Sequence, residues 1–316
     1  AVELPVPVKG GHADPAGQCG GAWFTFGVGA DLPTDQSPDD ARSACFDTAP
    51  LPAERVLCGR PVARLALRGA GGALQGSVAA RLCAVSPEGV SHRITYGVLN
   101  LARGASGGGA GGVVEVEMDY TAFTVPAGFR MRLAVSAGYW PILWPSADAP
   151  VLSVATCAST LVLPEVAAGH VDAAATQASA IPVPPLEVFE PAQTSRVRRG
   201  ASSRTSERLP GGGVQVKLVE DRGARRFDGP QYKGLVLDTT QSQTYTVAGD
   251  GSCSHVVEFA TQQQRVGGGW DAQTKLRSEM TADGGEIRIA TCVEARSGGT
   301  TLFKREWTDF VQRNGL

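Results

Sequence analysis

Apolar and polar residues alternate with period two in many short runs along this chain of 316 residues. Two of the clearest runs are Val114–Met118 and Arg130–Val135. Such alternation predicts β-strands that turn one face to a core and the other to water. No stretch has helical periodicity, so the pattern predicts an all-β protein. Other runs of strand character are Val62–Leu67, Ser77–Val85, Arg93–Leu101, Pro150–Val154 and Ser159–Leu163.

Turn signals and composition divide the chain into regions. Residues 1–44 are irregular and rich in Gly and Pro, which predicts a lead-in with a loop. Residues 45–165 hold the strand runs named above and predict a jelly-roll β-sandwich, because many short strands separated by turns are typical of that architecture. Residues 166–213 are rich first in Ala and Pro and then in Ser and Arg, which predicts an extended linker.

The last region, residues 214–316, alternates again, for example in Val214–Leu218 and Glu286–Ile289. Its frequent turn signals predict an antiparallel meander, a second β unit of about six to eight strands. The expected turns are Asp221–Gly223, Gly249–Gly251, Gly267–Gly269, Asp283–Gly285 and Ser297–Gly299.

The charge balance limits the classes of partner. A net charge of −2 argues against nucleic acid, which needs a strongly basic surface. No apolar run is long enough to cross a bilayer, so no membrane partner is expected. The chain begins with Ala1 and not with Met, which favours processing or a fragment of a longer protein. The one basic cluster lies among Ser, Thr and Gly and is interpreted as solvated linker: Arg196, Arg198, Arg199 and Arg204.

The seven cysteines do not form a recognisable framework, because their number is odd and their spacing irregular. No CxxC pair is present and no residues have metal-ligand spacing, so neither a metal nor another cofactor is expected. Buried thiols are the simplest interpretation, which favours a reducing compartment such as the cytoplasm. A bridge between Cys45 and Cys58 stays open as an alternative.

One sequence matches the nucleophile motif G-x-S-x-G, at residues 104–108. That motif works only on a sharp turn between a strand and a helix. Here more glycines follow, strand-like residues flank both sides, and Gly is a poor helix former. The motif is therefore interpreted as a β-hairpin loop. The four histidines are scattered, and no catalytic residue is predicted in this chain.

Bulky aromatic residues cluster in two segments that are not strand-like. Trp23, Phe24 and Phe26 lie in a loop bounded by Gly, and Tyr139 and Trp140 precede a Pro. Aromatic side chains in such segments either plug a core or contribute to a binding surface. From the residues alone, the core plug is the simpler alternative for all five.

Five motifs in order resemble the C-terminal, non-catalytic region of serine hydrolases of the X-Pro dipeptidyl-peptidase and cocaine esterase family. The first is Phe46-Asp47-Thr48-Ala49-Pro50-Leu51, which resembles the "FDTAPL" start of that region. The others are the family's first strand, its "RL-x-DV-x-PDG" strand and turn, its "GxLNL" strand and its "PGHRIRLxVS" strand; they resemble residues 59–65, 80–89, 95–101 and 126–136. Residues 271–283 and 303–307 resemble an extra β unit found in one branch of the family.

The resemblance implies a galactose-binding-like jelly roll that packs on an α/β-hydrolase catalytic domain. That catalytic domain carries the Ser-His-Asp triad and would precede this chain, so the triad maps onto no residue here. The resemblance further implies that Trp23, Phe24 and Phe26, and with less support Tyr139 and Trp140, wall an acyl pocket for a small ester or amide substrate. Two positions depart from the family: Ala84 replaces an Asp and Phe129 replaces a His.

Two other hypotheses stay open. The chain could be a stand-alone jelly-roll module that binds carbohydrate or another ligand, which predicts a shallow groove lined by aromatic residues. It could also be a structural homologue that has lost its enzyme.

Overall fold

Strands make up nearly all the regular structure of this computed structural model. The structure describes residues 6–23, 31–69, 74–101, 112–147, 151–166, 193–230, 232, 234–265, 269, 271–283 and 285–313. The one α-helix in these ranges, α1, is the single turn Ser37–Asp40. Its neighbours in the N-terminal half are β1 (Val6–Pro7), β2 (Ala44–Asp47), β3 (Arg55–Gly59), β4 (Val62–Gly69), β5 (Ser77–Val85), β6 (Ser91–Asn100), β7 (Gly112–Glu117), β8 (Thr121–Val125), β9 (Arg130–Ser136), β10 (Leu152–Val154), β11 (Thr160–Val162) and β12 (Glu165–Val166).

These strands form an antiparallel β-sandwich, as the alternation predicts. One layer has the order β1-β10-β4-β11, with β7 also paired to β4. The opposite layer has the order β2-β9-β5-β6, and a small sheet, β12-β3-β8, extends the structure. The core fills the space between the layers with one face of each strand, including Leu65 and Val116 from the first layer and Leu82 and Val135 from the second.

Strand β5 is buried on both faces, because residues of the lead-in cover the outer side of its sheet. All nine of its residues are buried, among them Arg81. The cover includes α1 and the buried side chain of Gln36. The described part of region 1–44 therefore packs on this chain itself.

The described residues between 194 and 312 form one eight-stranded antiparallel sheet, here called the C-terminal sheet. Its order is β13-β15-β16-β17-β18-β19-β20, with β14 also paired to β15. The strands are β13 (Thr194–Arg198), β14 (Ala201–Arg208), β15 (Gly213–Phe227), β16 (Leu235–Ala248), β17 (Cys253–Arg265), β18 (Asp271–Ala282), β19 (Glu286–Ser297) and β20 (Thr300–Gln312).

Three sequence-based expectations need correction. The linker prediction for 166–213 is wrong over 194–208, because Ser- and Arg-rich β13 and β14 pair along β15. The turn expected at Asp221–Gly223 is a β-bulge inside β15, where Gly223 has a φ of +70°. The motif at 104–108 lies outside the described residues, but the described strands on either side of it, β6 and β7, belong to different layers and do not pair with each other as a hairpin would.

The C-terminal sheet is amphipathic. On one face, Phe259, Leu276 and Val293 are cross-strand neighbours. On the other face, Arg277 forms ion pairs with Glu258 and Glu279. The apolar face meets the sandwich only at one end, where Val214, Val216 and Val247 pack with Trp140. Among the described residues, no helix could span a membrane and no cluster of His, Cys, Asp and Glu could hold a metal ion.

Candidate functional site

The candidate site is built around a narrow neck, defined here as residues 18–22 and 31–36. The backbone amide of Ala22 donates to the carbonyl oxygen of Asp31 at 2.8 Å, and that of Thr34 donates to Cys19 at 3.1 Å. Gly21 has a φ of +77°, and a Cβ there would lie 2.6 Å from the Asp31 oxygen. Only glycine fits this close approach. Trp23 follows the neck directly and is 77% exposed.

Buried polar side chains hold the neck from below. Gln36 Nε2 donates to the carbonyl oxygens of Cys19 and Thr34, both at 2.7 Å. The carboxylate of Asp39 accepts from the backbone amides of Gln18, at 3.1 Å, and Cys19, at 2.9 Å. Burial raises the pKa of Asp39, while the charge of Arg81 and the hydrogen bond from the Cys19 amide act against that rise.

Tyr139 lies beneath the neck. Its hydroxyl accepts from Arg93 Nη1 at 2.6 Å, and the same nitrogen donates to the carbonyl oxygen of Gly20 at 2.6 Å. The ring of Tyr96 lies 5.3 Å away from that of Tyr139. Burial raises the pKa of Tyr139 to about 12, so the phenol stays protonated.

Trp140 joins the sandwich to the C-terminal sheet. Its backbone amide donates to Ala16 at 2.7 Å, and its ring makes edge contacts with Trp144 and Tyr245 at 5.8 and 6.0 Å. The side chain is buried against the apolar face of the C-terminal sheet. It is therefore an interior residue of this chain.

A buried ion-pair network beneath α1 was missed by sequence reasoning. Arg81 Nη2 lies 3.0 Å from Asp40 Oδ1 and donates to Ser43 Oγ at 2.9 Å. Arg132 bridges the other carboxylate oxygen of Asp40, at 3.0 Å, and Asp47, at 2.7 Å. A signal was present, because Arg81 interrupts the otherwise apolar run of β5, and a charge in such a strand requires a partner.

The C-terminal sheet also contacts the neck. Arg204 Nη2 donates to the carbonyl oxygen of Gln18 at 2.8 Å, and Ser206 donates to the Gln18 side chain at 2.9 Å. Arg208 and Arg42 both pair with Asp14, at 2.8 and 2.6 Å. The interpretation of the basic cluster as solvated linker is thus wrong for Arg204, which is half-buried and braces the neck.

Three of the described thiols are poor nucleophiles. Burial raises the pKa of Cys45 and Cys253 to about 11 and that of Cys83 to about 12, so all three are protonated at neutral pH. All seven cysteines lie in the described ranges, and no disulfide joins any of them, which removes the Cys45–Cys58 alternative.

The five residues that the sequence singles out have different surroundings. Trp23 is exposed, whereas Tyr139 and Trp140 are buried within the chain. Phe24 and Phe26 lie outside the described residues. The structure brings Tyr139 against Gly20 of the neck that leads to Trp23, so these two sequence segments do meet.

A model of the X-Pro dipeptidyl-peptidase C-terminal non-catalytic domain matches residues 12–180, which is more than half of the chain. The chain belongs to this family. The match includes the neck, α1, the network under it and the sandwich. It ends before β13, so the resemblance inferred for the C-terminal sheet stays a prediction.

Solved structures similar to this member of the X-Pro dipeptidyl-peptidase C-terminal family include three hydrolases. An α-amino acid ester hydrolase is 13% identical, with a TM-score of 0.41 over 52% of this chain and 33% of its own. An aminopeptidase from a marine sediment Thaumarchaeota archaeon is 14% identical, with a TM-score of 0.44 over 52% of this chain and 34% of its own. A CocE/NonD family hydrolase from Staphylococcus aureus is 11% identical, with a TM-score of 0.31 over 42% and 32%.

The chain spans about a third of the length of each of these structures. No curated protein matches it in sequence.

Proposed function

We propose that this chain is the C-terminal non-catalytic part of a serine hydrolase of the dipeptidyl-peptidase and acyl-ester hydrolase class. In this proposal it packs on an α/β-hydrolase catalytic domain and walls the acyl pocket of that enzyme with the loop that begins at Trp23. The observation that carries the proposal is the exposure of Trp23 at the end of a firmly held neck.

When a partner covers an indole that is exposed to water in this way, the free energy decreases. Burial of a large aromatic side chain contributes about 2–3 kcal/mol, so a partner that encloses Trp23 gains binding free energy from it. A pocket wall is such a partner surface, because apolar side chains exclude water and select the acyl group. Trp23 is therefore the residue assigned to the pocket wall, together with Phe24 and Phe26 of the same loop.

The neck fits a positioning role. Its hydrogen bonds to Gln36 and Asp39 fix the backbone on which Trp23 is presented. A side chain that is held in place before binding loses less entropy when a partner covers it. Tyr139 and Trp140 act here as supports: Tyr139 shares Arg93 with the neck, and Trp140 anchors the C-terminal sheet that supplies Arg204.

The first test concerns the native protein. Its intact mass would be measured from the native source, together with labelling by a fluorophosphonate probe for active serines. We expect either a species much larger than 32.8 kDa or a labelled partner that co-purifies. A 32.8 kDa protein that stands alone and takes no label would refute the proposal.

The second test concerns Trp23 in the assembled hydrolase. Trp23→Ala should lower kcat/KM for a bulky acyl substrate about tenfold, because a pocket contact of this size is lost. Tyr120→Ala is the matched control: Tyr120 is an aromatic residue of the sandwich that is 75% exposed, and its loss should leave kcat/KM unchanged. Equal effects of both variants would contradict a pocket wall at Trp23.

The carbohydrate-binding alternative has less support. A cleft of about 320 Å³ opens at the side of the sandwich, with Leu65, Leu133 and Leu161 among its lining residues. Phe46 is the single aromatic residue of this lining. Sugar rings are usually held on aromatic faces, and this mainly aliphatic cleft does not favour such a ligand.

A further inference from the structure

The outer edge of the C-terminal sheet is formed by β20. All of its 13 residues are exposed, and it pairs with β19 on one side only. Exposed hydrophobic residues concentrate there: of the fifteen large ones in the described part of the chain, five lie on this strand, namely Leu302, Phe303, Trp307, Phe310 and Val311. A long edge with apolar side chains and unpaired backbone groups is a template for another strand.

The opposite edge of the same sheet is protected. It consists of two shorter strands, β13 and β14, which both pair with β15, and β13 contains a bulge between Arg196 and Arg198. Arg198 on this edge forms ion pairs with Asp221 and Asp238, which places charge there. Short, charged and interrupted edges resist pairing with other chains. The contrast singles out β20 as the edge built to take a partner strand.

We propose that the partner is a second copy of this chain, which pairs antiparallel through β20. The sheets of the two copies would then form one continuous sheet across a two-fold axis. This surface goes beyond the proposed hydrolase role and does not depend on it, since it lies in the C-terminal sheet, outside the residues matched by the family.

Symmetry restricts the pairing register. A two-fold axis between antiparallel edge strands runs perpendicular to the sheet, so each residue keeps its face. Opposed residues must then both be odd-numbered or both be even-numbered. With Glu306 or Arg305 at the centre, that residue would oppose its own copy, and like charges that face each other directly are unfavourable.

Centring on Trp307 gives a complementary pairing. Trp307 then meets its own copy, and Arg305 lies opposite Asp309 of the partner subunit. Phe303 lies opposite Val311 of the partner subunit. The two pairs of unlike residues each occur twice and the Trp307 pair occurs once, so the face carries two ion pairs, two apolar pairs and one aromatic pair, each of a kind that stabilises adjacent strands. Asp309 has no ion pair with any other residue that the structure describes, so its carboxylate is available.

The side chains on the other face of β20 neither favour nor oppose the register centred on Trp307. Lys304 pairs within its own strand with Glu306 at 2.8 Å. In the pairing centred on Trp307 it lies opposite Phe310 of the partner subunit. A register centred on Arg305 would instead place Lys304 opposite Glu306 of the partner subunit. Substitution of Lys304 therefore separates the proposed register from its nearest competitor.

The test uses sedimentation velocity of the 316-residue chain over a concentration series. We expect a reversible equilibrium between 32.8 kDa and twice that mass. Asp309→Arg and Arg305→Asp should each raise the dissociation constant at least about tenfold, because each places like charges opposite one another twice. Lys304→Glu produces the same net charge as Arg305→Asp and should leave the constant within about threefold of the original.

A mixing experiment distinguishes variants that are folded but dimerise weakly from variants that are misfolded. The Asp309→Arg chain has Arg at both positions and the Arg305→Asp chain has Asp at both, so the mixture should form a heterodimer although each variant alone is weakened. A native chain that stays at 32.8 kDa throughout would overturn the proposal. So would a mixture without heterodimer, or a Lys304→Glu variant weakened as much as Arg305→Asp.

Discussion

The sandwich and the C-terminal sheet use the same alternation in different ways. In the sandwich, two layers close over one core, and β5 is buried on both faces. In the C-terminal sheet, β16 has one fully buried residue, Val247, and β20 has none. One region is several layers thick, whereas the other is a single layer whose apolar face meets the sandwich at one end.

The difference shows where the stability of each region originates. The sandwich depends on complete packing and on satisfied buried charges, so removal of one buried group is costly. The C-terminal sheet depends on its hydrogen-bonded ladder and on cross-strand neighbours, each of which contributes less than about 1 kcal/mol. The same type of substitution should therefore have unequal effects in the two regions.

The largest difference in stability cost between the two regions is expected when an arginine is replaced by alanine. Arg81→Ala removes the fully buried one of the two arginines that pair with Asp40, and it should lower the free energy of unfolding by about 3–5 kcal/mol. The measurement is denaturant unfolding followed by circular dichroism. Arg277→Ala in the C-terminal sheet is the matched control, and its exposed ion pairs should cost less than about 1 kcal/mol. Equal costs would contradict the contrast between the two regions.

The next effect concerns the contact between the regions. Trp140→Leu should cost about 2 kcal/mol, because the smaller side chain leaves space against Val216 and Tyr245. Calorimetry should then show the C-terminal sheet unfolding at a lower temperature than the sandwich. The same exchange at exposed Trp23 should change stability by less than about 0.5 kcal/mol. A single unshifted transition for Trp140→Leu would show that the sheet does not rely on this contact.

Alternation was sufficient to predict the fold class and most of the strands. The runs at 114–118 and 130–135 correspond to β7 and β9, since period two survives wherever one face of a strand meets a core. The prediction failed at 194–208, which consists mainly of Ser, Thr and Arg and has Val197 as its single large apolar residue. Strands β13 and β14 exist there because β15 supplies a ladder, and a ladder leaves no mark in hydrophobicity.

The candidate site was less accessible from sequence. Trp23 and Tyr139 were singled out by residue type, but type alone does not separate an exposed indole from a buried phenol. The neck depends on contacts between distant residues, such as Arg93 with Gly20 and Arg204 with Gln18. Single-sequence patterns carry no information about such contacts.

The smallest predicted effect is a pH dependence of the free energy of unfolding that originates in the C-terminal sheet. His255 lies on the apolar face of the C-terminal sheet, with its ring stacked 4.0 Å from that of Tyr245 and Nε2 3.2 Å from Gln243 Oε1. Burial lowers its pKa from 6.5 to about 4. Between these values the unfolded chain binds a proton that the folded chain does not. Stability should therefore be complete above pH 6.5 and fall as the pH drops toward 4, by about 1–2 kcal/mol after allowance for partial solvation.

His255→Phe keeps an aromatic ring on Tyr245 and removes the titrating group. The slope of unfolding free energy against pH should then become shallower in this window. An unaltered slope in His255→Phe would mean that the ring is solvated in the folded chain. The end of the sheet next to the sandwich would then be as accessible to water as the rest of the sheet. Trp140 would mark the boundary between the buried sandwich and the solvated sheet.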